Sequence, residues 1–277
     1  MRGKRVKKVS LRQALTIVAA AVLLVSAGLL ARDLLRVGRE RRANEALARL
    51  AAGETQSAPQ TPEDPDGADP APPERNYLPL VEQNGDMAAW LLLPDTEIDY
   101  PVMYTPEDPE HYLHRAFDGS SSVSGCLFLG EGSAPDSSHV MIYGHCMRNG
   151  TMFGSLEDYA DPAYAEAYPV IQYDVVSPDG SYQRHTYEVM AAFYSRVYRT
   201  DETGVFRFYY CADLSDPEDF AGYVAQVEEA ALYDTGIRAE YGDRLLTLVT
   251  CDYHTSDGRF VLVARESGEQ SGGPAPG

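Results

Sequence analysis

The chain has 277 residues, 44% of them hydrophobic, and its 42 Asp/Glu outweigh 23 Lys/Arg to give a formal net charge of −19. The imbalance is local: residues 1–49 hold 12 Lys/Arg against 3 Asp/Glu, and the remainder holds 11 against 39. So acidic a remainder excludes nucleic acid and anionic lipid surfaces as its partners, and suits either a cationic partner such as an amine or plain solubility.

Arg2, Lys4, Arg5, Lys7, Lys8 and Arg12 form a basic N-terminus, residues 1–13, ahead of an uncharged run from Ala14 to Ala31. That run has 18 residues, the short end of what spans a bilayer. The expectation is a transmembrane signal-anchor at 14–31, with the N-terminus inside and the bulk of the chain outside. Val25-Ser-Ala27 resembles a cleavage site, so a cleaved signal peptide is the competing reading.

Residues 32–75 read as an extracellular charged and Pro-rich spacer. Within it, 33–50 can continue as a charged helix. Residues 51–75 lack, Pro aside, any apolar side chain larger than Ala, and so predict an extended segment with no core of its own. The folded domain is expected at 76–266, large enough for a substantial core, with a disordered tail at 267–277.

The domain reads as mainly β. Runs rich in Val, Ile, Tyr and Phe predict strands at 98–104, 125–129, 139–143, 170–176, 186–194, 244–250 and 259–264, separated by turns such as Ser177-Pro-Asp-Gly180. Strands do not alternate regularly with helices, which favours a closed or nearly closed barrel over a doubly wound sheet. Two helices are predicted: a short one at 77–84, and a longer one at 216–233 from the capping box Ser215-Asp-Pro-Glu218 to a stop at Gly236. Phe220, Tyr223, Val224, Val227, Ala231 and Leu232 fall at helical spacing in the second.

Three residues stand apart chemically. Cys251 closes Thr247-Leu-Val-Thr-Cys251, Arg259 follows eight residues later, and His145 closes Met141-Ile-Tyr-Gly-His145. A nucleophile, an anion stabiliser and a proton carrier are what acyl transfer through a thioester requires. A nearby cation raises the thiolate population, and Arg donates without losing its charge. Alternation puts Thr247, Val249 and Cys251 on one face of their strand.

These motifs, with Gly150-Thr-Met-Phe-Gly154 after the histidine, resemble those of the sortases, most nearly class B. Trp90, Ile98-Asp-Tyr-Pro-Val102, Tyr112-Leu113, Phe117-Asp-Gly119 and Gly125-Cys-Leu-Phe128 are similar to that class's early strands, over roughly 76–266 in all. The resemblance implies a closed β-barrel of about eight strands, with an N-terminal helix and a long helix before the cysteine strand. It implies a cysteine transpeptidase in a Gram-positive envelope, anchored in the cell membrane by a single pass. Cys251 would attack the Thr carbonyl of a Pro-x-Thr sorting motif in secreted surface proteins. His145 would act as general acid and base, and Arg259 would steady the oxyanion. A peptidoglycan or pilin amine would accept the acyl group. Tyr143, Leu113, Thr250 and Asp252 are the expected substrate contacts.

Val249 stands where sortases often have Ser, and Cys146 where they usually have Asn. Gly-His-Cys also admits Cys146 as nucleophile, as in Cys-dependent L,D-transpeptidases, although neighbours on a strand point to opposite faces. A thiol hydrolase, or a non-catalytic envelope-binding module on the same barrel, are the remaining alternatives. No Cys-x-x-Cys spacing occurs and no metal or other cofactor is expected; Cys126, Cys146 and Cys211 read as buried thiols, with a Cys126–Cys146 disulfide as the alternative. The acidic stretch Glu107-Asp-Pro-Glu110 reads as a solvated loop in preference to a calcium site. His111, His114, His139, His185 and His254 read as surface residues, His254 being a minor rival to His145.

Overall fold

The computed structural model describes residues 11–53, 74–252 and 257–270. It divides into two compact units, residues 1–42 and 43–277. The helix α1, Leu11–Ala51, carries the first unit, so the uncharged run and the charged stretch after it form one element, with Arg36 and Glu40 paired at 3.2 Å one turn apart. Among the described residues no helix is long and apolar enough to cross a membrane. Side chains 13–18, within and just before the uncharged run, lie outside that description.

The second unit contains α2 (Leu78–Gln83), β1 (Met87–Leu92), β2 (Asp99–Met103), β3 (Leu127–Leu129) and β4 (His139–Tyr143). There follow α3 (Pro162–Ala167), β5 (Val170–Val176), β6 (Tyr182–Arg196), α4 (Pro217–Ala230), β7 (Leu245–Asp252) and β8 (Gly258–Gln270). The eight strands close into a barrel in the order β1-β2-β3-β4-β7-β8-β6-β5. Inward residues such as Val140, Ile142, Leu246, Leu248 and Leu262 fill its centre. Leu245, Val249, Val261 and Val263 point outward under Phe220, Tyr223, Val224 and Val227 of α4. This is the two-residue alternation expected of strands buried on both faces.

Two pairings position the site. β4 runs parallel to β7, from His139 opposite Leu245 to Tyr143 opposite Val249, so both strands end at the same rim. β7 and β8 are antiparallel, with Cys251 directly opposite Arg259.

Several boundaries depart from expectation for local reasons. Asp216, not Ser215, caps α4, its carboxylate accepting from Glu218 N at 2.8 Å and Asp219 N at 3.3 Å. α4 stops at Ala230, short of 233, because Ala231 turns extended and Leu232 N bonds Ala192 O on β6 at 2.9 Å; Leu232 is left 46% exposed. β3 begins at Leu127 because Gly125 takes φ +60°. β1 was absent from the predicted strands because Met-Ala-Ala-Trp-Leu-Leu neither alternates nor contains a β-branched residue.

The spacer boundary is corrected. Leu47 (8% exposed) and Ala51 (0%) are core residues of the second unit, packed with Tyr77, Leu80, Met87 and Trp90. Asn76 N donates to Ala51 O at 2.8 Å, so the chain returns to the end of α1. The tail boundary is corrected too: β8 extends to Gln270 because the long β6 offers Arg184, His185 and Thr186 as pairing partners. Beneath them lies a buried ion pair, Arg184 to Asp174 at 2.7 and 2.8 Å, with Tyr77 OH donating to the same carboxylate at 2.7 Å.

Candidate active site

β4 ends at Tyr143, two residues before His145, so the histidine lies just past the strand instead of closing it. The parallel pairing nevertheless continues: Gly144 N donates to Val249 O at 3.1 Å, and Thr250 Oγ1 donates to Gly144 O at 2.9 Å. Gly144 has no room for a side chain, since a Cβ would lie 2.4 Å from Leu127 Cδ2 and 2.7 Å from Phe153 Cδ2. Phe153 N donates to the carbonyl of His145 at 3.0 Å. The backbone that presents the imidazole is therefore held on both sides.

The ring has one committed nitrogen. His145 Nε2 lies 2.8 Å from the carbonyl of Leu113. A carbonyl only accepts, so Nε2 carries the hydrogen and Nδ1 is left for chemistry. Burial pushes the His145 pKa below its ordinary value and the charge of His114 acts the same way, while the Leu113 carbonyl opposes them.

Cys251 and Arg259 face each other across β7 and β8, each partly exposed. The guanidinium is steadied by its own turn: Nη1 donates to Gly258 O at 2.8 Å and to Asp257 O at 3.3 Å. Burial pushes the Tyr143 phenol up to about 12, with the charge of Arg259 pulling the other way.

One groove of about 930 Å³ joins these groups, lined by Leu113, Tyr143, His145, Thr250, Cys251 and Arg259. Six of the seven expected site residues thus meet there. The seventh, Asp252, ends β7 opposite Gly258, and its side chain lies outside the described set, as does the whole of His254. Sequence reasoning missed the opposite wall, Tyr209, Tyr210 and Ala212, although the aromatic run Phe206-Arg-Phe-Tyr-Tyr210 was a signal. It missed His114 as a groove residue, and the acidic Asp108, Glu110 and Glu131 at the same opening.

Cys146 pairs through a backbone bridge with Met152 and is not among the groove's described lining residues. Cys126 is a free buried thiol, unbridged to Cys146, and burial pushes it up to about 12. Of the histidines read as surface residues, His139 and His185 are buried: His139 bonds Cys211 O and Thr247 Oγ1, and His185 Nδ1 meets Glu266 Oε1 at 2.6 Å.

The Sortase domain model matches residues 91–267. The chain belongs to the sortase family. It is 28% identical to Listeria monocytogenes Sortase B over 190 residues, 67% of this chain and 72% of that protein. Clostridium perfringens sortase B, at 28% identity and a TM-score of 0.59, shares 69% of this chain and 98% of its own. The Bacillus anthracis sortase B fold superposes with a TM-score of 0.65 at 23% identity, over 84% of this chain and 98% of that one. This sortase is of class B and is a cysteine transpeptidase. Val249 also lines the groove and supplies no side-chain donor there.

Proposed function

We propose that this sortase cleaves a Pro-x-Thr sorting motif near the C-terminus of secreted surface proteins and passes the acyl group to an envelope amine. The observation that supports it is the single groove in which Cys251, His145 and Arg259 meet. The Cys251 thiolate attacks the Thr carbonyl carbon, and the carbonyl oxygen gains negative charge against the Arg259 guanidinium. Collapse breaks the C–N bond; protonated His145 gives the Nδ1 proton to the leaving amine, and a thioester remains. The incoming amine attacks that thioester and yields its proton to His145, and Cys251 leaves as thiolate. A peptidoglycan peptide or a pilin lysine supplies the amine. The uncharged run at 14–31, behind a basic N-terminus, anchors the enzyme with its catalytic domain outside the cell.

The test incubates the full-length chain in detergent with a library of Pro-x-Thr peptides and a primary amine, and identifies products by mass. Peptides cut after Thr and joined to the amine are the expected result. Free acids alone would make the enzyme a hydrolase, and no cleavage of any member would overturn the reading. The anchor is tested by fractionation: an intact N-terminus in the membrane fraction is expected, and a chain beginning near residue 28 in the medium would refute it.

A further inference from the structure

The imidazole of His145 is held by two consecutive residues of one loop. Leu113 supplies the carbonyl that fixes Nε2 at 2.8 Å. His114 lies against the ring, with centroids 5.4 Å apart and planes within 20°. The loop itself is rigidly backed. Tyr112 OH donates to Asp86 at 2.8 Å and accepts from Asn84 at 2.8 Å, and Cys126 N donates to Tyr112 O at 3.1 Å. Gly125 approaches so closely that a Cβ there would lie 2.4 Å from the Leu113 oxygen. Only glycine tolerates both that contact and its φ of +60°.

Acyl transfer as derived above makes no use of His114, and packing alone would be served by any flat apolar side chain. Two stacked imidazoles differ from that in one respect: each can take up a proton, and a charge on one opposes a charge on the other. The other titratable or charged groups in the groove are Cys251, Arg259, Tyr143, Tyr209, Tyr210, Asp108, Glu110 and Glu131. Among all of these, His114 is the one stacked on the His145 ring.

We propose that His114 is a positioning residue for His145: its ring holds the imidazole on the Leu113 carbonyl, and because two stacked imidazoles resist carrying charge together, it sets the acid limb of the amine-transfer half-reaction. This rests on the acid–base role given to His145. A proton held on His114 leaves His145 free to accept the proton of the incoming amine.

The experiment follows the imidazole C–H resonance of His145 against pH by NMR in the full-length chain, identified by its absence in H145N, together with the pH profile of amine attack on the preformed thioester. In H114Q, which removes ring and charge, the midpoint of His145 should move up and the acid limb should move up with it. At its optimum H114Q should also lose roughly three- to tenfold in kcat with KM unchanged, because the ring is less well held. H114R, which keeps a flat cation at that place, should hold the midpoint at or below the parent's. An unchanged midpoint in H114Q, or a raised one in H114R, overturns the proposal. Full turnover by H145N would instead overturn the role of His145, and the titration would still report the effect of His114.

Discussion

The parallel pair β4–β7 has a closed end and an open end, with a histidine at each. At the closed end His139 lies under α4 with both nitrogens committed: Nδ1 donates to Cys211 O at 2.7 Å, so Nε2 accepts from Thr247 Oγ1 at 2.8 Å, and Thr247 accepts from Tyr223 OH at 2.9 Å. At the open end His145 commits only Nε2, and its ring faces a groove. Burial lowers both, His139 to about 4. The side chains are identical, so their difference in use comes from unspent hydrogen-bonding capacity and access to a substrate. A buried, fully bonded imidazole is a strut, and a half-bonded one at a rim is a reagent.

The largest effect that tests this contrast is at the open end. C251A should abolish turnover, whereas C146S, outside the groove lining, should keep most of it; steady-state assay of both decides which thiol reacts. Next, R259A should slow acylation on the order of 10²–10³-fold, roughly 3–4 kcal/mol, the usual cost of one oxyanion donor. R259K should recover part of that, lacking the planar fork, and R265A, paired with Glu188 at 3.6 Å, should change little. Single-turnover acylation rates check all three.

At the closed end the effect should appear in stability. His139 binds its proton at about 4 when folded and near the ordinary 6.5 when unfolded, so between these values the unfolded chain holds more protons. Its contribution is complete above pH 6.5 and is lost as pH falls toward 4, on the order of 3 kcal/mol. H139Q should be less stable at pH 7 by about 1–3 kcal/mol but should lack this slope, as read from urea unfolding at pH 7, 5.5 and 4. The smallest effect lies between the two strands at the open end: T250V removes the 2.9 Å bond to Gly144 O and should cost about 1 kcal/mol, measurable by the same unfolding.

The open end was more legible in the sequence than the closed one. Cys251, Arg259 and His145 are reactive types at ends of apolar runs, and β4 and β5 match the predicted ranges 139–143 and 170–176. His139 looked like a surface residue because its partners Cys211, Thr247 and Tyr223 lie far along the chain, and only closure of the barrel brings them in. Leu113 was singled out, but the atom that matters is its carbonyl, and no residue type announces a backbone acceptor. The Tyr209–Ala212 wall was hidden similarly, since it lies in an irregular connection between β6 and α4.

The bond from Asn76 N to Ala51 O has a consequence for the Pro-rich stretch between them. Its two flanks meet at one hydrogen bond, so its length sets no distance between them. Duplicating it should add only about 0.6 kcal/mol of loop-closure cost and leave Leu47 and Ala51 seated against Tyr77 and Leu80. Cutting the chain at Glu74 is a different operation: it strips a buried leucine and a buried alanine from the core and exposes the aromatic surface they cover. A catalytic fragment of this enzyme therefore begins inside α1, upstream of Leu47, and the Pro-rich stretch is a place to insert sequence, not a place to cut.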